Sequence, residues 1–190
     1  MSRQQYSRLD LIGEELMKLQ DKKITDKIIS FLINTSKYVY VKLDIPADLY
    51  VRANVLCDDI ETLSEEEFDQ NRLLSILYDD FLRENRMKEA LFQLYQRLTV
   101  HDRRAPSIKG LYEIHNQRIE NDEYYELTVR IKRKEALRGE VLLSDLSNVY
   151  PKHPYTLEMV LETIYIDFLN DIKKGGNYKA VKELLKRMAD

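Results

Sequence analysis

Cysteine, glycine, histidine and tryptophan are all scarce: the 190 residues include one cysteine, five glycines, three histidines and no tryptophan. A single thiol, Cys57, excludes an internal disulfide framework and any zinc site built on cysteine pairs. It fits a reducing compartment, so the cytoplasm is the expected location. The histidines lie far apart, with no His-x-x-x-His pair, and no metal site is expected. The glycines form neither G-x-G-x-x-G nor G-x-x-x-x-G-K-S/T, and no G-x-S-x-G is present, so no phosphate cradle or nucleophile elbow can be assigned. No apolar run of about 18 residues is present, the length a membrane span needs. The start Met1-Ser2-Arg3-Gln4-Gln5 is polar and predicts no secretory signal. Together these absences predict a protein that is not an enzyme, with no catalytic, cofactor-binding or metal-binding residues.

What the chain does have is apolar material for a core, 44% of residues, and a near balance of 30 basic against 33 acidic side chains. The balance is uneven along the chain. Residues 38–98 carry 7 basic and 13 acidic groups, whereas 99–140 carry 9 and 8. The whole chain is therefore not a basic nucleic-acid binder, and local patches matter more than the sum. Thirteen tyrosines supply a residue type favoured at interfaces, apolar along the ring and polar at the tip.

Periodicity places the elements. Leu9, Ile12, Leu16 and Leu19 recur at helical spacing and predict a helix over 7–20, with a second over 25–36. Alternation then takes over: Val39, Val41, Leu43 and Ile45, a turn at Pro46-Ala47-Asp48, and Leu49, Val51, Ala53, Val55 and Cys57. This predicts a β-hairpin. Ser64 and Glu67 fit a capping box ahead of the stripe Leu74, Leu77, Tyr78, Phe81 and Leu82. A further helix is expected near 87–98 and another over 107–119. Leu127, Val129 and Ile131, then Leu137, Gly139, Val141 and Leu143, predict a second hairpin turning at Arg133-Lys134-Glu135. Amphipathic helices follow from Thr156 and over 178–188, separated by Gly175-Gly176.

The order repeats. Leu74, Tyr78, Asp80, Phe81 and Leu82 align with Leu161, Tyr165, Asp167, Phe168 and Leu169, 87 residues on. Val41 aligns with Val129, and Arg97 with Arg187 at a shift of 90. The expected fold is α+β and helix-rich. It comprises two tandem pseudo-symmetric units of helix–β-hairpin–helix–helix with an extra N-terminal helix. The expected boundaries are 1–23 for the N-terminal helix, 24–98 for unit one, 99–106 for the connector and 107–190 for unit two.

The helix pair closing each unit resembles the IDEAL domain of Firmicutes proteins. Tyr78-Asp79-Asp80-Phe81-Leu82 meets its Ile-Asp-Glu-Ala-Leu signature at Asp79 and Leu82, and Lys88-Glu89-Ala90-Leu91-Phe92-Gln93-Leu94 follows; unit two keeps Leu169. The resemblance spans about 20 residues per unit and implies a bacterial interaction or regulatory module.

The outward hairpin faces are the expected contact surfaces. Tyr40, Tyr50, Arg52, Tyr150 and Tyr155 are the candidates for binding another protein, together with the groove between units. Arg130, Lys132, Arg133, Lys134 and Arg138 would form a basic ribbon in unit two, the alternative reading as a nucleic-acid-binding regulator. His101-Asp102-Arg103-Arg104 reads as a polar linker, Glu113 and His115 as unrelated helix positions, His153 as a surface loop residue and Cys57 as a small buried hydrophobe. Asp80 and Asp167 are expected to flank a core stripe rather than act as an acid–base pair. A non-enzymatic adaptor, possible as a homo-oligomer, is the expectation.

Overall fold

A computed structural model describes residues 4–20, 36–85, 90–102 and 123–189. The helices expected over 25–36, apart from Ser36, and over 107–119, with Arg103, Arg104, Glu113 and His115, fall outside them. The elements run α1 (Leu11–Gln20), β1 (Tyr38–Pro46), α2 (Ala47–Ser64), α3 (Gln70–Glu84), α4 (Ala90–His101), β2 (Tyr124–Lys132), α5 (Arg133–Val149), α6 (Leu157–Gly175) and α7 (Asn177–Ala189). The fold is α+β and helix-rich, and the order strand–helix–helix–helix occurs twice.

The hairpins do not form. β1 pairs antiparallel with β2, from Tyr38 opposite Lys132 to Pro46 opposite Tyr124. The strands expected after Pro46 and after Lys132 are the helices α2 and α5. The reason lies in which positions are inward. α2 buries Leu49, Ala53, Leu56, Cys57 and Ile60, spaced i, i+4, i+7, i+8 and i+11, a helical stripe. Leu49, Ala53 and Cys57 satisfy both periods. Leu56 and Ile60 break the alternation, and Val51 and Val55 are exposed at 61% and 51%. Pro46, with φ −53°, ends the strand and leads into the first turn, where Asp48 meets the helix N-terminus. Arg133-Lys134-Glu135 is likewise the first turn of α5, not a hairpin tip. Ser64 closes α2, with Glu65 left-handed behind it, and the cap of α3 is Asp69, which accepts from Arg72 N at 2.7 Å.

The buried part of the strands' inner face is apolar: Val39, Val41, Leu43 and Ile45 meet Leu127, Val129 and Ile131, and Tyr125, opposite Ile45, is exposed at the end. At about 1.5–3 kcal/mol for each fully buried side chain, this layer is a principal source of stability. The helices cover it crosswise. β1 packs against α6 and β2 against α3, each strand against a helix of the other run. Tyr78 on α3 donates its hydroxyl to the Glu135 carbonyl of α5 at 3.1 Å, and Tyr165 on α6 donates to Gln70 Oε1 at 2.7 Å. Gln70 in turn donates to Asn54 of α2 at 2.6 Å. Burial raises the pKa of both phenols well above the ordinary tyrosine range. Asp80 and Asp167, the aligned carboxylates, pair with Arg187 and Arg97, the aligned arginines.

The N-terminal segment is fastened to the second run. Glu140, which falls between the expected inward positions Gly139 and Val141, is fully buried on α5. Its carboxylate accepts from the Ser7 hydroxyl, from Leu11 N at 3.0 Å and from Ile12 N at 2.9 Å, which caps α1 from another helix. Arg133 pairs with Glu14 of α1. α1 begins at Leu11, after a bend held by Ser7, and Leu16 and Leu19 of the expected inner stripe are exposed.

Candidate functional site

The outer face of the sheet is exposed among the described residues. β1 presents Tyr38, Tyr40, Lys42 and Asp44, and β2 presents Tyr124, Glu126, Thr128, Arg130 and Lys132, none of them buried. Strand alternation produces this division, because the pleat sends even-numbered residues to one side. Tyr40 is 64% exposed. The Arg130 guanidinium lies 4.6 Å from the centre of the Tyr38 ring, within cation–π range. Lys42 reaches Glu126 at 2.8 Å, and Lys132 reaches Glu135 at 3.0 Å. That hydrogen bond raises the Lys132 pKa further above the ordinary lysine value.

Side chains from the helices approach the outer edges of both strands. Arg130 N donates to Asn71 of α3 at 2.7 Å, and Asp44 N donates to Glu162 of α6 at 2.9 Å. Each such contact occupies a backbone donor that a further strand would use. The face, rather than the edge, is the surface this sheet offers.

The five residues expected to bind protein separate. Tyr40 stands on the face. Tyr50 is half-buried on α2, its ring 5.6 Å from that of Tyr125. Arg52 is half-buried on α2, and its Nε is buried without a hydrogen-bond partner. Tyr150 is half-buried and stacks on Tyr95 at 3.8 Å. Tyr155 is 4% exposed, a core residue rather than a loop anchor, with its hydroxyl 2.7 Å from Thr99 Oγ1. The chain from 150 to 156 turns inward against α4, which carries Tyr95 and Thr99, and this explains the burial.

His153 is buried as well, not on the surface. Its Nδ1 accepts from Tyr155 N at 3.2 Å, which assigns the ring proton to Nε2, 2.9 Å from the Leu143 carbonyl it donates to. Burial lowers the imidazole pKa. Cys57 is buried, and burial, with Asp69, Asp58 and Glu61 nearby, pushes its thiol up to about 12. A thiol held in that state is a poor nucleophile.

The basic ribbon is not a ribbon. Arg130 and Lys132 lie on the sheet, whereas Arg133, Lys134 and Arg138 belong to α5, and Arg133 is paired with Glu14. Among the described residues no group of three or more His, Cys, Asp or Glu could hold a metal ion. No described helix is long and apolar enough to cross a membrane. A shallow concavity is lined by Asp58, Glu61, Glu65, Glu66 and Glu67 at the α2–α3 turn. Sequence alternation located Tyr40, Arg130 and Lys132; the pairing that unites them came from strands about 80 residues apart. Neither a family model, a curated protein nor a solved structure matches the chain.

Proposed function

We propose that the protein is a non-enzymatic regulatory or adaptor module of the bacterial cytoplasm, built from an internal duplication, that binds another protein through the outer face of its two-stranded sheet. One observation carries this reading: a nine-residue strand pair whose inner face is packed and whose outer face, with Tyr40 at 64% exposure, is left to solvent. Exposed aromatics among charges are the usual makings of an interface anchor and its rim. The nucleic-acid reading loses its projecting ribbon and keeps only Arg130 and Lys132 on this face.

The test is capture of partners from a bacterial lysate on the tagged protein near physiological salt, with and without nuclease. A defined protein band should survive nuclease and weaken at least about tenfold with Tyr40→Ala, the loss of one anchor of about 1.4 kcal/mol or more. Bands lost to nuclease, or a band indifferent to Tyr40→Ala, overturn the proposal.

A further inference from the structure

We propose that a second copy of this chain docks on the same sheet face with its strands reversed, so that the partner in self-association is the protein itself. This rests on the face being an interaction surface and names one occupant for it. The face is polarised along its length. Arg130 and Lys132 lie toward one end, opposite Tyr40 and Tyr38, while Asp44 and Glu126 face each other toward the other. Lys42 and Thr128 are opposite one another at the centre of the nine-residue register.

A two-fold axis through that centre, lying between two stacked faces and perpendicular to the strands, turns one copy end for end. It sets Arg130 of one copy over the Asp44–Glu126 end of the other, and the reverse contact follows by symmetry. Tyr38 and Tyr124, at opposite ends, are brought toward each other across the interface. Parallel docking would bring the basic ends together and the acidic ends together, whereas the reversed arrangement brings only Lys42, already paired with Glu126 at 2.8 Å, against its own copy, so the charge pattern selects the reversed arrangement. Stacking also needs no free strand edge.

The face is small. Nine residues at about 3.4 Å and two strands about 4.8 Å apart give a footprint near 30 by 10 Å. That is well short of the roughly 800 Å² per partner of a stable complex, so the dimer is weak, with a dissociation constant of about 10 µM or higher. Its exposed charges make it salt-sensitive.

Sedimentation equilibrium of the full chain, over concentrations up to about 1 mM and at low and high salt, reads the association directly. Two charge-reversed variants complete the test: Arg130→Glu with Lys132→Glu, which makes the face acidic, and Asp44→Lys with Glu126→Lys, which makes it basic. Each alone should associate at least about tenfold more weakly than wild type, and their equimolar mixture should dimerise more tightly than either. Recovery on mixing cannot come from misfolded chains. A wild type that stays monomeric throughout overturns the inference, as does a dimer that neither reversal weakens or reversed variants that stay apart when mixed. A monomeric wild type that still captures a partner through Tyr40 would remove this inference and leave the adaptor reading standing.

Discussion

Gly139 shows how much one residue can decide. It sits inside α5, where alanine would ordinarily stabilise the helix by about 1 kcal/mol. A Cβ there would lie 2.2 Å from the Tyr78 hydroxyl and 2.6 Å from Leu157 Cδ1. Tyr78 is almost fully buried, and its hydroxyl reaches the Glu135 carbonyl only because α5 has no side chain at this point. Gly139→Ala should therefore destabilise by about 1–3 kcal/mol in chemical denaturation, the cost of overpacking and of a displaced buried hydroxyl outweighing the helical gain. Adding Tyr78→Phe removes the nearest atom and should recover part of the loss. A stabilised Gly139→Ala protein would contradict this packing. The sequence marked Gly139 only as an inward position of a strand. Its partner lies 61 residues away, beyond the reach of local pattern. His153 was misplaced for a similar reason: flanking prolines mark a loop, and nothing local shows that the loop turns inward onto Leu143 and Tyr155.

At the scale of elements, amphipathic helices were legible because each carries its own period. α6, expected as an amphipathic helix from Thr156, buries Leu157, Val160, Leu161, Ile164, Tyr165, Leu169 and Ile172. The strands β1 and β2 were legible too. The segments after them are helices rather than strands, since Leu49, Ala53 and Cys57 fit a period of two and a period near four equally well. α2 can be tested on that ambiguity. Leu56→Ala should cost about 2–5 kcal/mol, because Leu56 is fully buried. Val51→Glu, on the exposed side, should stay within about 0.5 kcal/mol. A strand would give the reverse order, since its alternation places Val51 inward and Leu56 outward. Urea midpoints of the two variants, measured at equal slope, distinguish the two.

For the molecule as a whole, the repeated pattern located corresponding residues but not their partners. Asp80 and Arg97 belong to one run and Asp167 and Arg187 to the other, and each aspartate pairs with the arginine of the opposite run. A sequence repeat cannot distinguish this exchange from pairing within each unit, because both use the same residues. The ion pairs are partly exposed and worth about 1 kcal/mol or less apiece. The shared apolar layer matters more, since each strand rests on a helix from the other run and half of the inner sheet face belongs to each. Removing either run would expose the apolar face of the remaining strand and leave it unpaired. A lone strand with a few helices has little to offset its ordering entropy. The two runs should therefore unfold as one unit. Differential scanning calorimetry should give a single transition with equal calorimetric and van't Hoff enthalpies. Leu74→Ala in α3 and Leu161→Ala in α6, both fully buried, should each lower that same transition by an amount matching about 2–5 kcal/mol. Two separate transitions, each moved by only one of the substitutions, would mean that the halves fold independently and that the exchanged contacts contribute little to holding them together.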